Sequence, residues 1–197
     1  MDKIENLKEK LNILEGQIDK YQQRLLKEGD YLTYPFPNEK RRKLEKKIWE
    51  LEYEVIKIKK IIEVDSTTPI ISGELVDLHK NDENPKGNYI VCLHNSKTII
   101  GEVGCNGTNN NIHYVIDTEY QNNGYGFQAV VLMLNYLISN NFENIEIYIE
   151  KENIYSIKLV EKLRIFFPVF NKNESEHYIS YYFNLSQKKA EKNNVSR

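Results

Sequence analysis

Gln121-Asn122-Asn123-Gly124-Tyr125-Gly126-Phe127 is the stretch on which the fold turns. A strand-like run, Asn111-Ile112-His113-Tyr114-Val115-Ile116, precedes it, and an apolar helical run from Gln128 to Leu137 follows. Glycines at 124 and 126 permit a turn with positive φ, or let a ligand approach the backbone with no Cβ in the way. At a helix start several N–H groups lack intrahelical partners and point, with the positive end of the helix dipole, at whatever anion lies in front. The pattern therefore predicts a cradle for phosphate or pyrophosphate, made by the backbone from Asn122 through Phe127.

Two phosphate-binding readings compete for this loop. Gly124 to Ala129 satisfies the dinucleotide pattern G-x-G-x-x-G/A, and Glu146 stands about 20 residues on, where a ribose-binding acid would lie. The context opposes that reading. In dinucleotide folds the first glycine follows its strand almost at once, whereas here residues 117–123 intervene, and the preceding strands read as a hairpin meander rather than a βαβ series.

The alternative spacing, Gln121-x-x-Gly124-x-Gly126, resembles the coenzyme A loop Gln/Arg-x-x-Gly-x-Gly/Ala of the GCN5-related N-acetyltransferases (GNAT). Three further elements in the right order carry the resemblance. They are the upstream run Thr98-Ile99-Ile100-Gly101-Glu102-Val103, the strand Ile145 to Glu150, and Asn153-Ile154-Tyr155-Ser156-Ile157-Lys158-Leu159-Val160-Glu161-Lys162-Leu163, which matches the family's N-x-x-S/A-x-x-L-x-E-K-L helix. The resemblance covers residues 69–185 and implies an α/β fold, a GNAT-like mixed sheet of about six to seven strands with flanking helices, within the usual range of sheet sizes.

N-terminal to it the periodicity changes. Ile4, Leu7, Leu11, Leu14, Ile18, Tyr21 and Leu25 recur in steps of three and four, and Leu44, Ile48, Leu51, Val55, Ile58 and Ile62 do so again, each an a/d seam. Between them residues 31–38 hold two prolines, which helix interiors do not tolerate. A short connection folds the second helix back, so residues 1–64 read as an antiparallel coiled-coil hairpin about 35–40 Å long at ~1.5 Å per residue. Its seam reads as structural or as a homodimer surface, and its aromatic tip (Tyr31, Tyr34, Phe36) as a surface for a partner. Asp65-Ser66-Thr67-Thr68-Pro69 reads as the boundary. Strands follow near 70–79, 88–94, 97–105 and 111–117, then a helix near 124–139, a strand near 144–150, a helix near 153–163, and strands near 165–171 and 176–185. Residues 186–197 read as a disordered tail.

Composition bounds the function. A net charge of −2 offers no electrostatic case for nucleic acid. No window approaches the ~18 apolar residues that span a bilayer, and the charged N-terminus lacks a signal-peptide core; a cytoplasmic protein is expected. A tight turn at Asn95-Ser96 would set Cys92 opposite a residue near 99 or 100, which separates it from Cys105, so both read as structural thiols. The four histidines show no metal-ligand spacing with them, and no metal is expected.

The resemblance implies acetyl transfer from acetyl-CoA to a primary amine, small molecule or protein, by direct attack in a ternary complex. It implies that the backbone of Tyr114, Val115 and Ile116 holds the pantetheine arm, that Gln121 to Phe127 hold the pyrophosphate, and that Asn153 contacts the ligand while also suiting an N-cap. The family's glutamate base falls on Tyr148, leaving Glu150 as a displaced candidate with Glu102 and His113 behind it. The family's tyrosine acid falls on Val160; Tyr148 or Tyr155 could substitute. Two helices that usually separate the first two strands have no counterpart in the short segment 81–87. A non-catalytic acyl-CoA-binding or scaffold protein that engages a partner through the hairpin is the alternative.

Overall fold

A computed structural model of the chain describes residues 3–27, 39–80 and 84–186. The chain separates into two compact units, residues 1–66 and 67–197.

The first unit holds two helices, α1 (Lys3–Lys27) and α2 (Glu39–Ser66). Leu14 and Ile18 of α1 are buried with Ile48, Leu51, Val55 and Ile58 of α2 in one apolar cluster, and Leu7, Leu11, Tyr21, Leu25 and Ile62 pack against it. These are the seam positions that the three-and-four spacing marks. Two interhelical ion pairs flank the seam, Lys10–Glu54 at 2.6 Å and Glu15–Lys59 at 2.8 Å. Each joins equivalent heptad flanks, g with g and e with e, the pairing of antiparallel rather than parallel helices. The proline-rich tip lies outside the described residues, as does most of the expected tail.

The second unit is an eight-stranded mixed sheet in the order β1-β2-β3-β4-β5-β6-β8-β7. Its strands are β1 (Ile71–Ser72), β2 (Val76–His79), β3 (Gly87–Leu93), β4 (Ile99–Asn106), β5 (Asn111–Ile116), β6 (Asn144–Glu150), β7 (Val169–Glu174) and β8 (Tyr178–Asn184). Every neighbouring pair is antiparallel except β5 with β6. That parallel pair needs a crossover, which α3 (Tyr125–Ser139) supplies. A second helix, α4 (Ile154–Leu163), follows β6. Ala129, Val130, Met133, Leu134 and Leu137 of α3 are fully buried in one core with Val76, Leu78, Tyr89, Val91, Ile100 and Val103 of the sheet. α3 ends where Asn141 takes a left-handed φ of 63°, which asparagine tolerates, and the Phe142 N–H closes on the Leu137 carbonyl at 3.0 Å.

Two sequence expectations need correction. The run at 70–79 is two strands, because Gly73 turns the chain, its N–H bonding the Val76 carbonyl at 2.9 Å, and β1 folds back on β2; this raises the strand count above the expected six to seven. The strand near 165–171 starts later. Residues 164–167 continue to wind off α4 through bonds from Phe166 N and Phe167 N to the Leu163 carbonyl, with Phe167 buried, and β7 begins only beyond Pro168. Glu146 is 7% exposed and its carboxylate accepts from Asn109 Nδ2 at 3.3 Å. Cys92 sits opposite Ile99, and both cysteines are free and buried.

Candidate functional site

β5 pairs with β4 along its whole length, from Asn111↔Asn106 to Ile116↔Gly101, but meets β6 only at Asn111↔Glu146 and Ile112↔Ile147. Beyond Ile112 the two parallel strands part. One edge of the backbone from His113 to Ile116 therefore faces a gap rather than a neighbouring strand, and backbone polar groups left without strand partners are available to a ligand.

The loop after β5 is braced by its own side chains. The chain leaves the strand through Asp117, whose N–H bonds the Ile100 carbonyl at 2.8 Å, and turns through a short 3-10 segment at Thr118–Tyr120. Gln121 reaches back, its Nε2 donating to the Ile116 carbonyl at 2.8 Å, and Asn123 Nδ2 donates to the Tyr120 and Gln121 carbonyls at 3.3 and 3.0 Å. Asn122 and Gly124 both take left-handed backbone, φ 64° and 83°.

Gly124 is the N-cap of α3 and has no side chain with which to cap it. Helices prefer Ser, Thr, Asp or Asn there because that side chain accepts from the N2 or N3 amide. The first intrahelical bond is Gln128 N to the Gly124 carbonyl at 3.0 Å, so the amides of Tyr125, Gly126 and Phe127 are left to whatever enters. Gly126 is not demanded by packing: a Cβ there would lie 3.4 Å from Ile116 and 3.6 Å from Leu159, ordinary contacts. What its bareness preserves is room for close approach to the backbone. Gln128 locks the helix start to the sheet, its Oε1 accepting from Leu75 N at 2.7 Å and Val76 N at 2.9 Å.

Opposite this loop, Asn153 caps α4, its Oδ1 accepting from Ser156 N at 3.0 Å. Between the two helix starts and the parted strand lies a cleft of about 580 Å³. Of the residues expected to hold a ligand, Tyr114, Val115, Ile116, Gln121, Asn122, Gly124, Tyr125, Gly126, Phe127 and Asn153 line it, while Asn123 braces the loop from behind. Tyr155, a possible substitute for the tyrosine acid, lines the cleft from α4, and the sequence reading missed the rest of that wall: Ser156, Lys158, Leu159 and Lys162. Steps of three from Asn153 reach Ser156, Leu159 and Lys162, the part of the wall that spacing could have found. Lys158 and Lys162 are the charged residues among those lining the cleft, and the Lys162 ammonium stands 4.2 Å from the centre of the Phe127 ring.

Tyr148 and Glu150 do not line the cleft. Tyr148 stacks on Tyr178 at 4.5 Å, and its phenol is pushed up by partial desolvation, then by Tyr178, Glu146 and Glu150. Glu150 is exposed, and its carbonyl accepts from Asn153 N at 2.9 Å. His113 is exposed and its Nε2 lies 3.0 Å from Asn88 Oδ1. Glu102, half-buried, pairs with Val115 across β4 and β5. Val160, where the family's tyrosine would fall, is fully buried in the core.

A mixed sheet parted beside an uncapped helix start makes this an α/β domain with an open, amide-lined cleft. The chain belongs to the GNAT family: the model of the acetyltransferase (GNAT) domain matches residues 38–165, well over half of its length. The match begins at the head of α2 rather than at residue 69. Similar solved structures include a GNAT-family acetyltransferase from Bacillus anthracis, 21% identical over 49% of this chain and 64% of that one, with a TM-score of 0.40. The spermidine/spermine N-acetyltransferase SpeG from Vibrio cholerae is 18% identical over 55% of this chain and 71% of that one (TM-score 0.45). A domain from Methanocaldococcus jannaschii is 25% identical over 52% of this chain and 69% of that one (TM-score 0.42). The chain spans under two thirds of the length of the Bacillus anthracis protein. No curated protein matches it.

Proposed function

We propose that the chain binds acetyl-CoA in this cleft and transfers the acetyl group to a primary amine, small molecule or protein, by direct attack in a ternary complex. The observation that carries the reading is the parting of β5 from β6 after Ile112, directly beside the uncapped start of α3. A ligand suited to both features needs an amide-bearing arm at one end and phosphates at the other, as acetyl-CoA has. The residues present fit it: the amides of 122–127 would hold pyrophosphate, the free edge of Tyr114, Val115 and Ile116 the pantetheine arm, and Asn153 the same arm from α4. Lys158 and Lys162 add positive charge to the phosphate end. Acetyl-CoA supplies an activated acyl group when bound.

The acceptor amine must shed a proton, and a lysine-like amine of pKa about 10.4 needs help at neutral pH. Glu150 and Tyr148 remain the proposed groups, with Glu102 and His113 behind them. A cytoplasmic setting suits the two free buried thiols, and the hairpin is proposed as the surface for a homodimer or another partner.

In the test, acetyl-CoA raises the melting temperature of the α/β unit and NAD does not; a shift with NAD alone would sink the reading. One observation favours a second reading, a non-catalytic acyl-CoA-binding or scaffold protein: Tyr148 and Glu150 stand outside the cleft wall. Turnover across an amine panel separates the two. Loss of turnover in Glu150→Gln or Tyr148→Phe supports transfer, and slow turnover that neither change affects supports the scaffold.

A further inference from the structure

The seam does not use all the apolar surface of α2. Trp49, Tyr53 and Ile56 recur in steps of four and three on the face turned away from Leu44, Ile48, Leu51, Val55 and Ile58, and they are 65%, 63% and 51% exposed. Trp49 stacks on Tyr53, the ring centres 5.9 Å apart. Outside its seam α2 is largely Lys, Arg and Glu, as a solvated helix face requires. Two aromatic rings and an isoleucine in one row are instead a contiguous apolar stripe, the mark of a contact surface.

The charges that flank the stripe identify what covers it. Glu50 and Lys57 lie along one side and Glu52 and Lys59 along the other, so each side carries an acid near the head of the stripe and a base near its foot. A second copy laid antiparallel, with Tyr53 on the partner's Ile56, sets Glu50 against the partner's Lys57 and Glu52 against the partner's Lys59, each twice by the two-fold axis. Sliding the copies until Trp49 meets the partner's Tyr53 brings Glu50 onto the partner's Glu50 and Glu52 onto the partner's Glu52. A parallel pair sets Glu45 beside the partner's Glu50. Of these three arrangements the first alone brings no like charges together. Lys59 already pairs with Glu15 at 2.8 Å, whereas Glu50 meets Lys47 only at 3.5 Å, so Glu50 and Lys57 are the sharper probe of the register.

We propose that the outer face of α2 is a self-association surface, on which a second copy of this chain docks antiparallel across Trp49, Tyr53 and Ile56. This rests on the reading of the hairpin as an association surface, and it moves the contact off the seam, whose side chains are already buried within one chain. The rings and the isoleucine of both copies supply the apolar centre that leaves water. Exposed ion pairs add little energy each, but they fix direction and register.

The test uses the full chain, by sedimentation equilibrium and by the emission of Trp49, its single tryptophan. The wild type is a dimer that dissociates on dilution, and its emission shifts to the red as the ring returns to water. Tyr53→Lys is a monomer with red emission at every concentration. Because position 53 is exposed and off the seam, this variant keeps the helical content and melting temperature of the diluted wild type. Glu50→Lys weakens the dimer about tenfold, and adding Lys57→Glu restores its Kd to within about threefold. A dimer that survives Tyr53→Lys overturns the outer face and leaves a homodimer through another part of the chain standing. A double charge variant no tighter than Glu50→Lys overturns the antiparallel docking. A wild type that stays monomeric at every concentration overturns the proposal together with the hairpin homodimer itself, a result distinguishable because it needs no variant.

Discussion

At the scale of single residues the turn into α3 rests on Gly124. Its φ of 83° is one that side chains with a Cβ adopt at a cost of roughly 1–2 kcal/mol, although a Cβ there would meet only Leu75 at 3.8 Å. Gly124→Ala should therefore lower unfolding free energy by about 1 kcal/mol in urea titration, and Gly124→Val should also abolish the acetyl-CoA melting shift. A Gly124→Val variant with an unchanged shift would remove the loop from the binding site. The neighbouring residues show what sequence can and cannot say. The left-handed glycine and the Asn153 cap were legible from spacing and residue type. The face that Tyr155, Leu159 and Lys162 present was equally periodic but had no meaning until the cleft located it.

At the scale of elements, α3 is placed by Gln128 more than by its own cap. One carbonyl oxygen holds two backbone amides at the start of β2, where the sheet's first turn would otherwise leave them unmet. Gln128→Leu should cost about 1–3 kcal/mol, and in hydrogen exchange the Leu75 and Val76 amides should lose protection before the rest of β2. Protection that persists would mean that the turn at Gly73 holds itself. The parted strands belong to this scale too. Period-two patterns located β5 and β6 singly, but no local pattern marks Ile112 as the last paired residue. That limit follows from how two segments separated by all of α3 dock.

At the scale of the whole molecule, the α/β unit carries a buried histidine that makes its stability depend on pH. His79 is 4% exposed, with Nδ1 3.3 Å from Thr67 Oγ1. Its pKa is held below 6.5 first by burial and also by Lys97, against the opposing pull of Asp77. A base whose pKa is depressed by folding binds fewer protons in the folded state, so its contribution is whole above about pH 6.5 and is lost as pH falls through the folded value. The melting temperature of the unit should fall from pH 7 to pH 5, and His79→Leu should flatten that dependence. An equal slope in the variant would assign the pH sensitivity elsewhere.

Sequence alone determined the helical pair, the glycine turn that starts α3, the α4 cap and the family, because each is written in short windows of periodicity, turn chemistry and spacing. Tertiary structure alone decided where β5 leaves β6, which face of α4 becomes a wall, and that Tyr148 and Glu150 stand outside the cleft. Those are consequences of packing between segments distant in the chain, and burial and pairing of that kind are set only when the distant segments meet.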